Sequence, residues 1–223
     1  MPESVTFYLD PMCPYAYQSS LWIREVRAQV GLDVTWRFFS LEEVNLVPGK
    51  PHPWERPWSY GFGQMRVGAL IRRELGNDAL DRWYSAVGHA FFYDGVKTQD
   101  PAVHTRVIAD AGFDPGFVAR AIADDSTLTE VRDEHEDAVE RFGAHGVPTL
   151  IVGDGYAVYG PVVVPAPTGA DAVALWELVQ SMPRFQLYEL RHPKTQDDVS
   201  SIGEHFRTYL TTRDWQTVEN PAP

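Results

Sequence analysis

The segment Val5-Thr-Phe-Tyr-Leu-Asp-Pro-Met-Cys-Pro-Tyr-Ala16 combines the strongest structural and chemical signals in this chain. Its first five residues are apolar or β-branched and lead to Asp10-Pro11, which predicts a short buried strand closed by a turn. A helix is expected to open at Cys13-Pro14, because proline is well tolerated at the first helical position. The segment therefore predicts a strand, a turn and a helix that begins at a cysteine.

Residues 17–40 extend this pattern to a β-α-β unit. Side chains at three- and four-residue steps place one face of the helix in the core, and Gly31 ends the helix. Val34, Trp36 and Phe38 alternate with polar residues and predict a second strand. The crossover in such a unit is almost always right-handed. The helix face expected in the core comprises Ala16, Ser19, Ile23, Val26 and Val30.

The middle of the chain changes to helical periodicity. Residues 45–63 mix prolines with aromatic residues, a texture typical of a long functional loop. Helical segments then run from Met65 to Arg141. The pattern Thr127-x-x-Glu130 predicts a capping box at the start of the last of these helices, which Gly143 ends.

Strand periodicity returns after this helical region. Residues 149–152 and 156–159 predict a β-hairpin, and an Ala/Val/Leu-rich helix follows. The order βαβ, helices, ββα predicts an α/β fold in which residues 1–41 and 144–191 share one sheet. Residues 42–143 are then an inserted loop and helical lobe.

Residues 192–223 are polar and less patterned, and they are expected to form a C-terminal extension. One more helix is expected near Ser200–Leu210. The final segment, Asn220-Pro-Ala-Pro223, is expected to fray.

Composition limits the classes of function. The chain has 223 residues, of which 44% are hydrophobic, and this suffices for a sizeable core. Its net charge of −12 disfavours a nucleic-acid partner. The sequence has neither an apolar run near the 18–20 residues that span a bilayer nor the pattern of a secretory signal. With a single cysteine and no intrachain disulfide, a reduced, cytoplasmic setting is expected, with no membrane partner.

Cys13 is the sharpest candidate for a catalytic residue. At a helix N-terminus, unpaired backbone N–H groups and the positive end of the helix dipole favour a thiolate. Such positions lower a cysteine pKa to roughly 3.5–7.5, from about 8.5 for a free thiol. The alternative is a small buried hydrophobic residue, the commonest role of a lone cysteine.

Pro148 is the second candidate. In Gly146-Val-Pro-Thr149 it stands just before a strand. Because cis X–Pro bonds are uncommon in folded proteins, a cis Val147–Pro148 bond there would indicate a specific structural requirement. A trans proline that only opens the strand is the alternative.

Taken together, these motifs resemble the thioredoxin superfamily, and the inserted helical lobe narrows the resemblance to the DsbA-like and kappa-class branch. That branch includes DsbA-type oxidoreductases, kappa-class glutathione transferases and 2-hydroxychromene-2-carboxylate isomerases. Within it, the chain is most similar to the mycothiol-dependent nitroreductase group over residues 4–191. The matching stretches are Asp10-Pro-Met-Cys-Pro, Ser20-Leu-Trp-Ile23, Gln64-Met-Arg-Val67, Tyr84-Ser-Ala-Val-Gly88, Gly146-Val-Pro-Thr149, Tyr159-Gly-Pro-Val162, Leu175-Trp176 and Glu189-Leu-Arg191.

The resemblance implies a thioredoxin-like fold and an active-site motif of Cys13, Pro14, Tyr15 and Ala16 facing the Val147-Pro148 loop. It also implies that Val147 offers its backbone to the substrate or thiol. The redox members carry Cys-x-x-Cys, whereas Ala16 stands at the second position, either as a native residue or as an engineered replacement. Without a second thiol in the motif, this chain cannot carry out a dithiol exchange cycle.

Three functions follow from the resemblance. The first is a thiol-dependent oxidoreductase or thiol transferase, in which Cys13 acts as a lone thiolate with a low-molecular-weight thiol such as mycothiol. In the kappa-class and isomerase members a serine matches Cys13 and glutathione is activated, so a thiol-dependent isomerase is the second. The third is a binding protein that kept the fold without the activity. For the enzymes, an electrophilic or aromatic substrate is expected; a homodimer is left open.

Four weaker candidates complete the predicted pocket. Trp58 and Tyr60 lie in the aromatic loop that must cross between the two lobes, where ligand pockets are favoured. Arg66 could bind a carboxylate, and His145, close to Pro148, could tune a proton. Each candidate also has an alternative role that involves no ligand. The two aromatic residues could anchor the loop, Arg66 could form a surface ion pair, and His145 could simply be solvated. The run 133–137, Asp-Glu-His-Glu-Asp, is interpreted as a solvated acidic helix face, and no metal site is predicted.

Overall fold

Strands from both ends of the chain share one sheet in the computed structural model, which describes residues 3–185 and 187–212. Strand β1 pairs in parallel with β2 and antiparallel with β3, which pairs antiparallel with β4. The sheet order is β2-β1-β3-β4. The predicted β-α-β unit and β-hairpin are therefore confirmed. The strands are β1 (Ser4–Leu9), β2 (Asp33–Phe38), β3 (Thr149–Val152) and β4 (Tyr156–Tyr159).

Helices account for most of the remaining chain. Between β2 and β3 the chain is helical apart from its loops, as the inserted lobe requires; the division at residues 41 and 144 stays a prediction. The helices are α1 (Pro14–Val30), α2 (Leu41–Val44), α3 (Tyr60–Leu75), α4 (Asn77–Phe92), α5 (Pro101–Asp110), α6 (Gly116–Ala123), α7 (Asp125–Phe142), α8 (Gly169–Phe185), α9 (Gln196–His205) and α10 (Arg207–Thr212), with a 3₁₀ turn at Pro53–Glu55.

Helix α1 follows its prediction except at its last turn. It ends at Gly31, whose φ of 72° lies in the left-handed region that glycine adopts without a steric penalty. Ala16, Ile23 and Val26 are fully buried. Val30 is 47% exposed, so its predicted place in the core is wrong. The last turn of the helix runs past the edge of the apolar layer that it covers.

The predicted capping box of α7 is also wrong. The helix begins at Asp125, and the carboxylate of Asp124 accepts the capping bond from the Ser126 N–H. The Thr127 hydroxyl donates instead to the carbonyl oxygens of Ala121 and Asp124. Thr127 is fully buried, because it serves the connection between α6 and α7 rather than the helix end.

The C-terminal extension contains two helices, α9 and α10, where one helix near Ser200–Leu210 was predicted. Thr195 caps α9, and its hydroxyl oxygen accepts the Asp198 N–H at 3.2 Å. The predicted frayed end at 220–223 lies outside the described residues.

Side chains of the helical lobe bond to the outer edge of β2. Asn77 accepts the Trp36 N–H at 3.0 Å and donates to the Val34 carbonyl at 2.8 Å. Glu134 accepts the Phe38 N–H at 2.9 Å. These bonds fix the lobe to the sheet, and they satisfy backbone groups that an edge strand would otherwise leave unpaired.

Helices α1 and α4 approach each other closely at Gly88. Tyr17 is buried, its ring lies beside Gly88, and its hydroxyl donates to the Ser85 carbonyl at 3.2 Å. A Cβ atom at position 88 would overlap that ring. This contact sets the distance between the helix that carries Cys13 and the helical lobe.

Asp10 joins the end of β1 to both neighbouring segments. Its carboxylate is fully buried and accepts the N–H groups of Met12 and Leu41, each at 2.8 Å. Its backbone carbonyl accepts the Cys13 N–H at 3.1 Å. Burial raises the pKa of Asp10 to about 7; the two backbone N–H bonds oppose this rise, and the charge of Glu42 adds to it.

We expect Gly88→Ala to lower the free energy of unfolding by about 1–3 kcal/mol, because the new methyl group must displace the ring of Tyr17. Urea denaturation measures the change. Gly203→Ala is the matched control, since a Cβ atom there meets nothing within 4 Å, and its stability should be equal or up to about 1 kcal/mol higher. Equal stability of the two variants would contradict the close approach.

The raised pKa of Asp10 makes stability depend on pH. Between about pH 4 and pH 7 the folded protein keeps a proton that the unfolded chain releases, so stability falls as the pH rises. A pKa of about 7 in place of 3.8 corresponds to roughly 4 kcal/mol. We expect Asp10→Asn to remove this component when urea denaturation is compared near the two ends of that range. The same fall in both proteins would contradict the assignment.

Candidate functional site

Cys13 caps the N-terminus of α1. Its backbone is extended, with φ −92° and ψ 111°, and Pro14 is the first helical residue. The sulfur accepts the Ala16 N–H at 3.4 Å, and the residue is 7% exposed. The sulfur therefore lies at the positive end of the helix dipole, where a thiolate is stabilised.

The loop before β3 faces this sulfur. The Val147–Pro148 bond is cis, and the Cys13 thiol donates to the Val147 carbonyl at 3.6 Å. The predicted cis geometry and the predicted position of the loop are both confirmed. Two further bonds hold the loop, one from the Gly160 N–H to the Pro148 carbonyl and one from the Thr149 hydroxyl to the Gly146 carbonyl.

Tyr15 lies between this centre and the C-terminal extension. It packs against the buried cluster that contains Cys13 and Val147. The ring of Phe206 meets its ring edge to face at 5.6 Å, and the Lys194 ammonium lies 5.5 Å from its centroid. No pattern in the sequence predicts that the extension contacts the motif.

Three buried polar side chains lie around the motif, and sequence reasoning missed their role. Asp10 holds the turn that leads to Cys13. Gln64 donates to the Met12 sulfur at 3.2 Å, while its Oε1 has no partner within the described residues. The hydroxyl of buried Tyr84 also lacks a partner there. Burial first, and then the nearby charge of Cys13, raise the pKa of Tyr84 well above its usual value.

A sequence signal existed for these three residues. Asp10 directly follows a buried strand, three positions before Cys13, and the other two fall within stretches that resemble the family. Gln64 and Tyr84 stand on helices, where polar residues are ordinarily interpreted as surface positions.

The guanidinium of Arg66 is buried and bonded inside the helical lobe, which corrects the prediction that it binds a carboxylate of the ligand. The residue is 4% exposed, and its guanidinium donates to the Thr127 hydroxyl and the carbonyls of Ala121 and Ile122. A buried guanidinium is stable only when its N–H groups are hydrogen-bonded. Here the N–H groups of Arg66 bond to the carbonyls at the C-terminal end of α6 and stabilise that helix end.

The two aromatic residues of the loop have different surroundings. The Trp58 indole donates to the Gln99 carbonyl at 2.7 Å, and its ring lies beside Gly63. Tyr60 begins α3 and is 48% exposed. Their predicted roles as pocket walls stay predictions.

His145 is exposed, and its ring lies 4.6 Å from that of Tyr159. It precedes Gly146 in the loop that faces Cys13. Its predicted role in tuning a proton stays a prediction.

The acidic run on α7 is not wholly solvated, which corrects its interpretation. Glu134 turns inward to β2, and the imidazole Nδ1 of buried His135 accepts the Ser40 N–H at 3.2 Å. Burial lowers the pKa of His135.

Across residues 3–185 and 187–212, no group of three or more His, Cys, Asp or Glu has the arrangement of a metal site. The helices in those ranges include none of the length and apolar character that crossing a bilayer requires.

Solved structures of known proteins share this fold. A 2-hydroxychromene-2-carboxylate isomerase matches with a TM-score of 0.59 and 17% identity, covering 82% of this chain and 96% of the isomerase. A probable DsbA oxidoreductase of Streptomyces coelicolor matches at 0.59 and 18%, covering 86% and 94%. The cytosolic disulfide reductase DsbM of Pseudomonas aeruginosa matches at 0.56 and 18%, covering 80% and 99%. The expected thioredoxin-like fold of the DsbA type is therefore confirmed.

Sequence comparison identifies relatives over nearly the whole chain. The protein Rv2286c of Mycobacterium tuberculosis, described as uncharacterized, is 48% identical over 216 residues, which cover 96% of this chain and 93% of the relative. The profile of the Rv2466c-like family, described as "Mycothiol-dependent nitroreductase Rv2466c", matches residues 12–192. Those residues include Cys13 and the cis-proline loop. This chain therefore belongs to the Rv2466c-like family of mycothiol-dependent nitroreductases.

Proposed function

We propose that this protein is a thiol-dependent oxidoreductase or thiol transferase in which Cys13 is the only nucleophile and a low-molecular-weight thiol is the co-substrate. The observation that carries the proposal is the position of the Cys13 sulfur, which accepts the Ala16 N–H at the start of α1 and faces the Val147 carbonyl. The family description supports mycothiol as that thiol.

The two bonds of the sulfur depend differently on its protonation state. A thiol donates to the Val147 carbonyl, whereas a thiolate has no proton to donate and repels that oxygen. The Ala16 N–H and the helix dipole stabilise the thiolate. Loss of the proton therefore frees the Val147 carbonyl, which can then accept a backbone-like N–H of the bound thiol or substrate.

The chemistry we propose is disulfide exchange in two steps. The Cys13 thiolate attacks a disulfide, its S–S bond breaks, and one half leaves as a thiolate while the other half becomes disulfide-bonded to Cys13. A small thiol loses its proton and attacks this mixed disulfide, which restores the Cys13 thiolate. One cycle therefore consumes one small thiol, releases one half of the substrate disulfide as a thiol, and joins the other half to the small thiol in a new disulfide.

Ala16 explains why the second thiol must come from solution. It occupies the position of a resolving cysteine in Cys-x-x-Cys proteins and is fully buried. A methyl group there offers no sulfur, so the mixed disulfide persists until a small thiol enters. We propose a cytoplasmic setting, where such thiols stay reduced, and an electrophilic or aromatic substrate beside Tyr15.

We expect the alkylation rate of Cys13 to show a midpoint pH below the free-thiol value of about 8.5, because α1 stabilises the thiolate. The same chain unfolded in urea is the control and should titrate near 8.5. A folded-state midpoint at or above that of the unfolded chain would contradict a catalytic thiolate and favour a binding protein.

We expect Ala16→Cys to create a dithiol that reduces insulin with a dithiol reductant, whereas the parent protein should need a small thiol. Ala16→Ser is the matched control, since it adds a similar volume without a second thiol. Insulin turbidity and consumption of small thiol measure the two routes. A parent that cycles with the dithiol reductant alone would contradict the proposal, and turnover of a chromene carboxylate without net thiol consumption would favour an isomerase.

A further inference from the structure

The C-terminal extension contacts the active-site motif directly, although it lies about 180 residues away in the chain. Phe206 follows α9, is 5% exposed, and meets Tyr15 edge to face at 5.6 Å. Lys194 precedes α9 and places its ammonium 5.5 Å from the centroid of the same ring. Two residues of one segment therefore contact the Tyr15 ring.

The extension is itself anchored to the helical lobe. Tyr209 of α10 is 6% exposed and packs against the rings of Phe91 and Phe92 at the end of α4. Next to them, a Cβ atom at Gly95 would lie 2.7 Å from the Thr212 hydroxyl, so α10 lies directly on the loop that follows α4. Docking of the extension thus fixes Phe206 relative to both lobes.

Tyr15 also belongs to the reactive centre. It is half-buried on the first turn of α1 and packs against the cluster that includes Cys13 and Val147. A neighbouring aromatic ring or cation interacts with a particular part of a tyrosine ring, either its face or its edge. The contacts from Phe206 and Lys194 therefore restrict the orientation of the Tyr15 ring. The extension therefore determines which surface Tyr15 presents beside the sulfur.

We propose that the C-terminal extension is part of the active site, in which Phe206 and Lys194 are positioning residues that hold Tyr15 as an aromatic wall beside Cys13 and give the site its preference for planar aromatic electrophiles. The proposal rests on the proposed role of Cys13 as nucleophile. It names the substrate class that this wall accepts, because a flat ring can stack on an ordered tyrosine whereas an aliphatic chain gains little from it.

Two neutral disulfides test this preference with the full-length protein. The aromatic probe is 4,4′-dithiodipyridine and the aliphatic probe is bis(2-hydroxyethyl) disulfide. In each case the Cys13 thiolate attacks the S–S bond, a mixed disulfide forms on Cys13, and one thiolate leaves. Absorbance of the released thiopyridone and mass spectrometry of the aliphatic adduct give the two rates. Intrinsic differences between the probes cancel when each variant is compared with the parent.

We expect Phe206→Leu and Lys194→Gln to lower the rate with the aromatic probe about threefold to tenfold and to leave the aliphatic rate unchanged. Leucine keeps an apolar contact that holds the extension in place, while the ring is lost. Leu210→Ala, at an exposed position of α10, is the matched control and should alter neither rate.

Equal changes with both probes, or no change with either, would overturn the proposal, since the extension would then be a simple cover or a stability element. Melting temperatures identify any variant that loses its fold. If Phe206→Leu melts below Leu210→Ala, Lys194→Gln decides the test, because Lys194 is exposed and its replacement removes no buried packing. Failure of the proposed function is a separate result. It would appear as absence of turnover with small thiols, while the selectivity of the chemical probes is measured on Cys13 alone.

Discussion

The pair of hydrogen bonds that Asp10 accepts is the constraint on which the site depends. One bond fixes the Met12 backbone, and thereby the turn that delivers Cys13 to the start of α1. The other fixes the Leu41 backbone, where the chain leaves β2 for the inserted lobe. A single carboxylate with no exposure thus sets the relative positions of the nucleophile and the insertion. Its pKa of about 7 is the consequence of placing this junction inside the protein.

Two backbone groups set the geometry around the Cys13 sulfur in a similar way. The helix start supplies an N–H to the sulfur, and the cis-proline loop supplies a carbonyl on the other side. These two backbone groups have opposite preferences, one for a thiolate and one for a thiol. The sulfur is therefore held in place in both protonation states, while Ala16 leaves it without a second thiol in the motif.

Local patterns predicted the fold and the two central motifs, because strand alternation, helix ends and the Gly-Val-Pro-Thr sequence act over a few residues. Contacts between distant segments escaped prediction. The sequence favours Arg66 as a ligand-binding cation, whereas its guanidinium donates to carbonyl oxygens at the end of α6. Thr127 fits a capping pattern, yet the same junction draws it inward. The contact between Phe206 and Tyr15 could not be predicted, because the sequence around Phe206 is polar and resembles an unstructured tail.

The side chains that bond to β2 also decide how this molecule can meet others. An open edge strand offers its N–H and carbonyl groups as a template for a strand from another molecule, which is a common start of aggregation. Here Asn77 and Glu134 already hold backbone groups of Val34, Trp36 and Phe38. A foreign strand would have to break these bonds and detach the helical lobe before it could add to the sheet. The insertion that frames the site therefore also protects this side of the sheet from intermolecular pairing.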